Sequence, residues 1–242
     1  MTPAARRRKL ATIVSCLFVL VVAGGCASTK VSNREQLVTG QLPRPGNILV
    51  YDFAATPADV PAGSALAAQS AGSAMPQTPE QIADGRKLGA QIAAQLVGDI
   101  RSMGMPAEQA VAGTRPQIND LVIRGYLLSV QEGSAAKRVA IGFGSGASEL
   151  TTAVEGFQMT AQGLRKIGSG TVDAGGSRSP GAAMGVATLI ATGNPAGLII
   201  SSGMKAYGEA SGSSKVEGRA EATAKEIADV LKKRFQQQGW IK

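Results

Sequence analysis

Histidine is absent from this sequence, cysteine occurs twice, and aromatic residues make up 4% of the 242 positions. Without imidazole the usual general base is missing, and the scarcity of thiols leaves little for nucleophilic or transition-metal chemistry. Most hydrolase triads are thereby excluded, and neither a metal centre nor a cofactor is expected. Carboxylates remain, but Glu149 and Glu155 stand six positions apart in an alternating stretch. Such spacing puts them on one strand face about 20 Å apart at roughly 3.3 Å per residue. They are too distant to act together across one bond.

The N-terminus supplies a pattern of its own. Arg6, Arg7, Arg8 and Lys9 precede the apolar run ATIVSCLFVLVV, and the small residues Ala23, Gly24 and Gly25 precede Cys26. This is the layout of an export signal whose apolar part is too short for a lasting transmembrane helix. Small residues followed directly by cysteine resemble the lipobox of bacterial lipoproteins, with Ala23 where leucine is usual. The resemblance implies cleavage after a signal peptide at 1–25 and a lipid on the Cys26 sulfur. That lipid would anchor a polar tether at 26–46 and a single domain at 47–242. Ala27 and Ser28 replace the aspartate of the enteric inner-membrane retention pattern, so the resemblance implies an outer-membrane anchor facing the periplasm.

Loss of residues 1–25 removes four of the 25 Lys and Arg and none of the 17 acids, lowering the formal net charge from +8 to +4. No basic stripe interleaved with aromatics remains, so nucleic acid is not an expected partner. Cys16 departs with the signal, and no disulfide is expected within one mature chain.

Asn47 to Ala54, NILVYDFA, is a continuous apolar run of the buried-strand kind. An Ala/Ser/Gly/Pro tract follows and reads as a long loop. At Thr78 the sequence T-P-E-Q predicts a capping box, with Pro79 at the first helical position and Gln81 closing the box. Ile82, Gly85, Gly89, Ile92, Leu96, Ile100 and Met103 then share one helical face, and Gly104 with Pro106 ends the helix. The two glycines on that face would let the helix approach a sheet closely. Asn119 to Val130 is a second strand, completing a βαβ unit with a parallel pair.

Alternation from Glu149 to Thr160, the break AQG at 161–163 and LRKIGSGTVDA after it predict an antiparallel hairpin. Near the C-terminus Ala220, Ala224, Ile227, Leu231 and Phe235 line one face of a last helix, with Glu221 and Lys225, and Asp229 and Lys233, as i,i+4 pairs outside. Gly239 ends this helix before Trp240.

The run from Lys137 to Ile241 resembles a family of bacterial lipoproteins designated domain of unknown function 4410. The residues that carry the resemblance are SAAKRVAIGFGSGASEL, which begins at Ser134, VEGFQMTAQGLRKIGSGTVDAGGS, KAYGEASGSS and the ending F-x-x-Q-G-W-I. The resemblance implies no activity, substrate or catalytic residue. At the level of fold, lipidated cysteine, tether and βαβ unit are also similar to envelope lipoproteins such as the curli-secretion channel subunit.

Two short motifs invite chemical readings. Ser202-Gly-Met-Lys205 has the S-x-x-K spacing of penicillin-binding proteins, but the companion S-D-N and K-T-G motifs are absent, and a helix with small residues is the simpler reading. Gly142, Gly144 and Gly146, with Ala147 beyond, superficially fit a dinucleotide fingerprint. They lead into a strand-like alternation rather than a helix, so a flexible turn with at most a ligand contact is expected.

Residues 179–204, SPGAAMGVATLIATGNPAGLIISSGM, contain no charge. Gly181 and Gly185, Gly193 and Gly197, and Gly208 and Gly212 are each four apart, a spacing that lets helices approach to backbone contact. Asn194-Pro195 divides the tract, and Pro180 to Gly193 would be about 21 Å long as a helix, short of the roughly 30 Å hydrocarbon core. The expected fold is therefore a mixed α/β domain. It has a sheet of about four strands, two flanking helices and a glycine-rich helical hairpin at 180–212. The preferred functional expectation is a non-enzymatic, lipid-anchored outer-membrane protein that associates with itself or an envelope partner through that hairpin. A membrane-inserting subunit of an oligomeric pore or export apparatus is the alternative. An acyl-enzyme built on Ser202 and Lys205 comes third.

Overall fold

The computed structural model describes residues 29–60, 78–111, 113–131, 149–175, 199–200 and 216–242. In chain order these form β1 (Thr29–Gln36), β2 (Ile48–Tyr51), a 3-10 turn (Pro57–Asp59), α1 (Pro79–Ser102), β3 (Glu108–Ala110), β4 (Leu121–Gln131), β5 (Glu149–Thr160), β6 (Gly163–Gly175), β7 (Ile199–Ile200) and α2 (Val216–Gln237). The strands make one mixed sheet in the order β1-β6-β5-β4-β2-β3, with β7 paired to β4 beside this row. Both helices lie on one face and pack against each other.

Local chemistry accounts for the helix limits. Thr78 accepts from the Gln81 backbone and the Gln81 side chain accepts from the Thr78 backbone, so the expected capping box closes. At the other end Gly104 takes the left-handed conformation (φ 79°), and the amides of Gly104 and Met105 bond back to Arg101 and Ile100. Gly239 (φ 71°) and Trp240 repeat this arrangement on the carbonyls of Gln236 and Phe235 at the end of α2. The described i,i+4 ion pair on α2 is Lys225–Asp229 at 3.5 Å, a different pairing from the two expected.

The βαβ unit is present: β2 runs parallel to β4, and α1 lies between them in sequence. The expected close approach of α1 occurs at Gly89, whose carbonyl accepts from the Phe53 amide at 3.3 Å. On the other side the Phe53 ring lies over Gly125, where any Cβ would collide with it. The hairpin is also present, with β5 and β6 antiparallel from Glu149↔Gly175 to Thr160↔Gly163.

Three expectations need correction. Four strands become seven, because β1, β3 and β7 carry no apolar run long enough to announce them. Residues 29–46 are not a free tether. β1 pairs antiparallel with β6, and the segment after it is strapped down by distant side chains. Gln238 accepts from the Leu42 amide at 2.6 Å and donates to the Gly40 carbonyl at 3.2 Å, while the Trp240 ring N–H donates to the Leu42 carbonyl at 3.2 Å. These partners lie nearly 200 positions away, which is why a polar, proline-containing stretch read locally as a linker.

The third correction concerns the helical hairpin. Ile199–Ile200 are extended and pair in parallel with Ser129–Val130, so the helix expected from Ala196 to about Ala210 is not formed there. The reason lies in β4, which continues beyond the point where β2 leaves the sheet. After Leu127 bonds to Ala54, the β4 backbone has an open side that a β-branched pair can fill. The rest of 180–212, including the paired glycines Gly181 and Gly185, Gly193 and Gly197, and Gly208 and Gly212, lies outside the described residues.

Candidate functional site

A groove of about 530 Å³ separates α2 from the sheet. Its floor is made by an absence of side chains. Gly156 and Gly168 are directly opposite each other across β5 and β6, and Gly170 faces Val154 one step along on the same side. Glycine in a strand interior costs roughly 0.5–1 kcal/mol relative to alanine and commonly marks a place where something else approaches the backbone. Apolar residues wall the furrow: Val31, Val154, Ile167 and Val172 from the sheet, and Ile227 and Leu231 from α2.

Polar groups gather at the rim. β1 has a bulge between Ser32 and Glu35, and Asn33 within it adopts φ 49°. Bulges re-aim side chains, and here Arg34 is turned so that its Cγ lies 3.8 Å from where a Cβ on Gly170 would stand. Arg234 of α2 donates to the Val38 carbonyl at 2.7 Å, and Glu35 accepts from Ser169 at 3.3 Å. Arg34 makes no ion pair among the described residues.

The opposite sheet face carries a different constellation. Glu155 is 3% exposed and is held by Lys166 at 2.9 Å and by the Tyr126 hydroxyl at 3.0 Å. Arg124, its register partner on β4, is stacked between the rings of Phe157 (5.3 Å) and Tyr51 (5.7 Å). A second cleft of about 490 Å³ reaches from Arg124 and Tyr126 to Asp59 and Arg86, at the C-terminal ends of the parallel strands β2 and β3.

Asp59 accepts from Arg86 at 2.7 Å and from the Thr56 hydroxyl at 2.9 Å. Burial raises the Asp59 carboxyl, but the hydrogen bonds from Arg86 and Thr56 and the Arg86 charge outweigh it and hold the group below its ordinary value. A depressed carboxylate contributes stability above its unfolded-state pKa and loses it as pH falls through the folded-state value. Asp59→Asn is therefore expected to flatten the fall in unfolding midpoint below about pH 4, read from thermal melts across pH 2–7. An acid limb identical to the parent's would contradict this.

The residues singled out in sequence fall elsewhere. Cys26, the turn glycines Gly142, Gly144 and Gly146, and Ser202 with Lys205 all lie outside the described residues. So do all six glycines expected to pack helices together, Gly181, Gly185, Gly193, Gly197, Gly208 and Gly212. Glu149 and Glu155 both fall in β5, and Glu155 serves an ion pair. No group of three His, Cys, Asp or Glu able to hold a metal occurs among the described residues. The groove has no local signature: Gly156, Gly168 and Gly170 are glycines inside strands, and only their cross-strand register puts them side by side.

A family model described as a domain of unknown function (DUF4410) matches residues 48–193, more than half of the chain. The chain belongs to the DUF4410 family. The matched stretch of this DUF4410 chain begins at β2, takes in the βαβ unit and the hairpin, and stops before α2. It starts further upstream than the resemblance noted from Lys137 onward, and it ends earlier. No curated protein sequence matches the chain. Among solved structures, a PelC dodecamer from Paraburkholderia phytofirmans aligns at 12% identity and a TM-score of 0.35, covering 70% of this chain and 93% of that one. A singly substituted PelC dodecamer from the same organism aligns at 13% identity and a TM-score of 0.34, covering 70% and 92%.

Proposed function

We propose that this DUF4410 chain is a non-enzymatic envelope protein, anchored to the outer membrane through a lipid on Cys26 and facing the periplasm. It acts by associating with itself or with an envelope partner. The observation that carries the reading is the position of β1, which starts only three residues after Cys26. At no more than about 3.6 Å per residue, a lipid there would hold the sheet within roughly 11 Å of the bilayer surface. Thr29 pairs with Ala174, Gly175 with Glu149, and Glu149 with Gln131, so four strand ends form one row at that end of the sheet. Ile200 joins the row through Val130.

The connection at 132–148 therefore leaves and re-enters the sheet on its membrane side, and 176–198 starts there at the end of β6, while β7, parallel to β4, runs toward the same side. That is where an association surface shared with a membrane-bound partner would be placed. No described helix is long and apolar enough to cross a membrane.

Cys26→Ser is expected to move the full chain from the membrane to the soluble fraction. In vesicles carrying the lipidated protein, a lipid-borne photoprobe should label residues around Thr29 and Ala174 and spare those around Arg44, near the opposite end of the sheet. Preferential labelling at Arg44 would refute the orientation. For association, in-cell crosslinking from positions in 176–198 should capture a second copy or an envelope protein, and Gly185→Leu with Gly197→Leu should abolish capture. Uncrosslinked monomer throughout would defeat it.

The position of Ile199–Ile200 in the same row favours, as a second reading, a subunit that inserts this segment into the bilayer within an oligomeric pore. Protection of residues 185–200 from protease in vesicles would favour insertion, and full water accessibility would exclude it.

A further inference from the structure

The geometry points to the glycine-floored groove as a binding site for one long-chain carboxylate, its acyl chain laid along β5 and β6 under α2 and its head at Arg34 and Arg234. This assignment stands on the described residues and does not depend on lipidation of Cys26.

Three observations combine. The walls are mainly apolar, with Val154, Val172, Ile227 and Leu231 among them, and the polar lining residues, Arg34, Glu35, Gln36, Ser169, Arg234 and Gln237, come from β1, β6 and α2. Its volume of about 530 Å³ lies within the roughly 300–1,000 Å³ of small-molecule sites. The space is also built in rather than left by chance. Cβ atoms on Gly156 and Gly170 would stand at 3.6 Å from Ile167 and Val31, ordinary contact distances, so these positions accept side chains sterically and nevertheless hold none.

Charge at the rim selects the head group. Arg34 and Arg234 oppose the single carboxylate of Glu35, leaving one excess positive charge. The Glu155 carboxylate lies on the opposite sheet face, engaged by Lys166 and Tyr126, and does not enter this balance. The β1 bulge brings the Arg34 stem to the glycine floor, and this exposed side chain makes no ion pair among the described residues. An apolar trough with one cationic end matches a single-chain anionic amphiphile; a cationic amphiphile would meet two guanidinium groups.

The test uses the full chain in phospholipid nanodiscs and palmitate carrying a terminal diazirine. Irradiation should place adducts on peptides containing Val31, Ile227 or Leu231. Unlabelled palmitate should compete and hexadecylamine should not. Gly156→Leu and Gly170→Leu, which fill the trough, should each cut labelling about tenfold while leaving the unfolding midpoint unchanged or raised. Arg34→Glu, an exposed substitution that spares the core, should weaken competition by palmitate about tenfold. Equal labelling of Arg34→Glu and parent, equal competition by hexadecylamine, or adducts confined to peptides away from the groove would each overturn the assignment. Labelling that persists in a folded Gly156→Leu protein would do the same. Tighter competition by hexadecyl phosphate than by palmitate would reject a carboxylate head.

Discussion

Gly89→Ala is expected to lower the unfolding midpoint by roughly 6–12 °C. A Cβ there would collide with the backbone carbonyl of Phe53, which no rotamer change can move aside. The same two residues share a backbone hydrogen bond, Phe53 amide to Gly89 carbonyl at 3.3 Å, so relieving the clash also breaks a contact between α1 and the end of β2. Overpacking of this rigid kind costs about 3 kcal/mol, and a domain of this size shifts by about 2–4 °C per kcal/mol. Gly98→Ala is the control, because nothing lies within 4 Å of its added methyl. It should stabilise α1 by about 0.5–1 kcal/mol. Thermal melts of the two variants side by side check the argument, and equal midpoints would show that α1 does not depend on backbone contact at Gly89.

The second large effect concerns the ion pair on the sheet face away from the helices. Lys166→Met should destabilise the domain by about 2–3 kcal/mol, because it strands a carboxylate that is 3% exposed. The upper range for breaking a buried pair is not reached, since the Lys166 side chain keeps 27% exposure and the Tyr126 hydroxyl still donates to Glu155. Arg124 offers limited rescue although it stands opposite Glu155 in register, because its guanidinium is occupied by the rings of Tyr51 and Phe157. Adding Glu155→Gln to Lys166→Met should recover most of the loss. A denaturant-unfolding cycle over the four proteins measures this, and a double variant as unstable as the sum of its singles would contradict it.

Much of this architecture was legible because it rests on local chemistry. Thr78 and Gln81 announce α1, Gly104 and Gly239 stop the two helices, and the alternation from Glu149 to Thr160 marks β5 with its observed limits. What escaped is non-local. β1 is polar, since its outer side is exposed and its stability comes from pairing with β6 some 140 positions later. The strap around Leu42 is held by Gln238 and Trp240, residues that close a helix and give no hint of a second role. The groove depends on register: Gly156 opposite Gly168 is a property of two strands together, and single-sequence spacing cannot show it.

The margins of the sheet constrain how copies of this protein can meet. Among the described residues the outer strands β3 and β7 are three and two residues long, and β1 is interrupted by a bulge and bears Lys30, Arg34 and Glu35. Short, kinked and charged borders are the devices by which sheets refuse an incoming strand. Continuous sheet growth from copy to copy, and the fibres it leads to, is therefore disfavoured at these described borders. Any ring or cluster this chain forms must be joined through loops, helices or sheet faces, and its size can be closed by geometry rather than extended by backbone pairing.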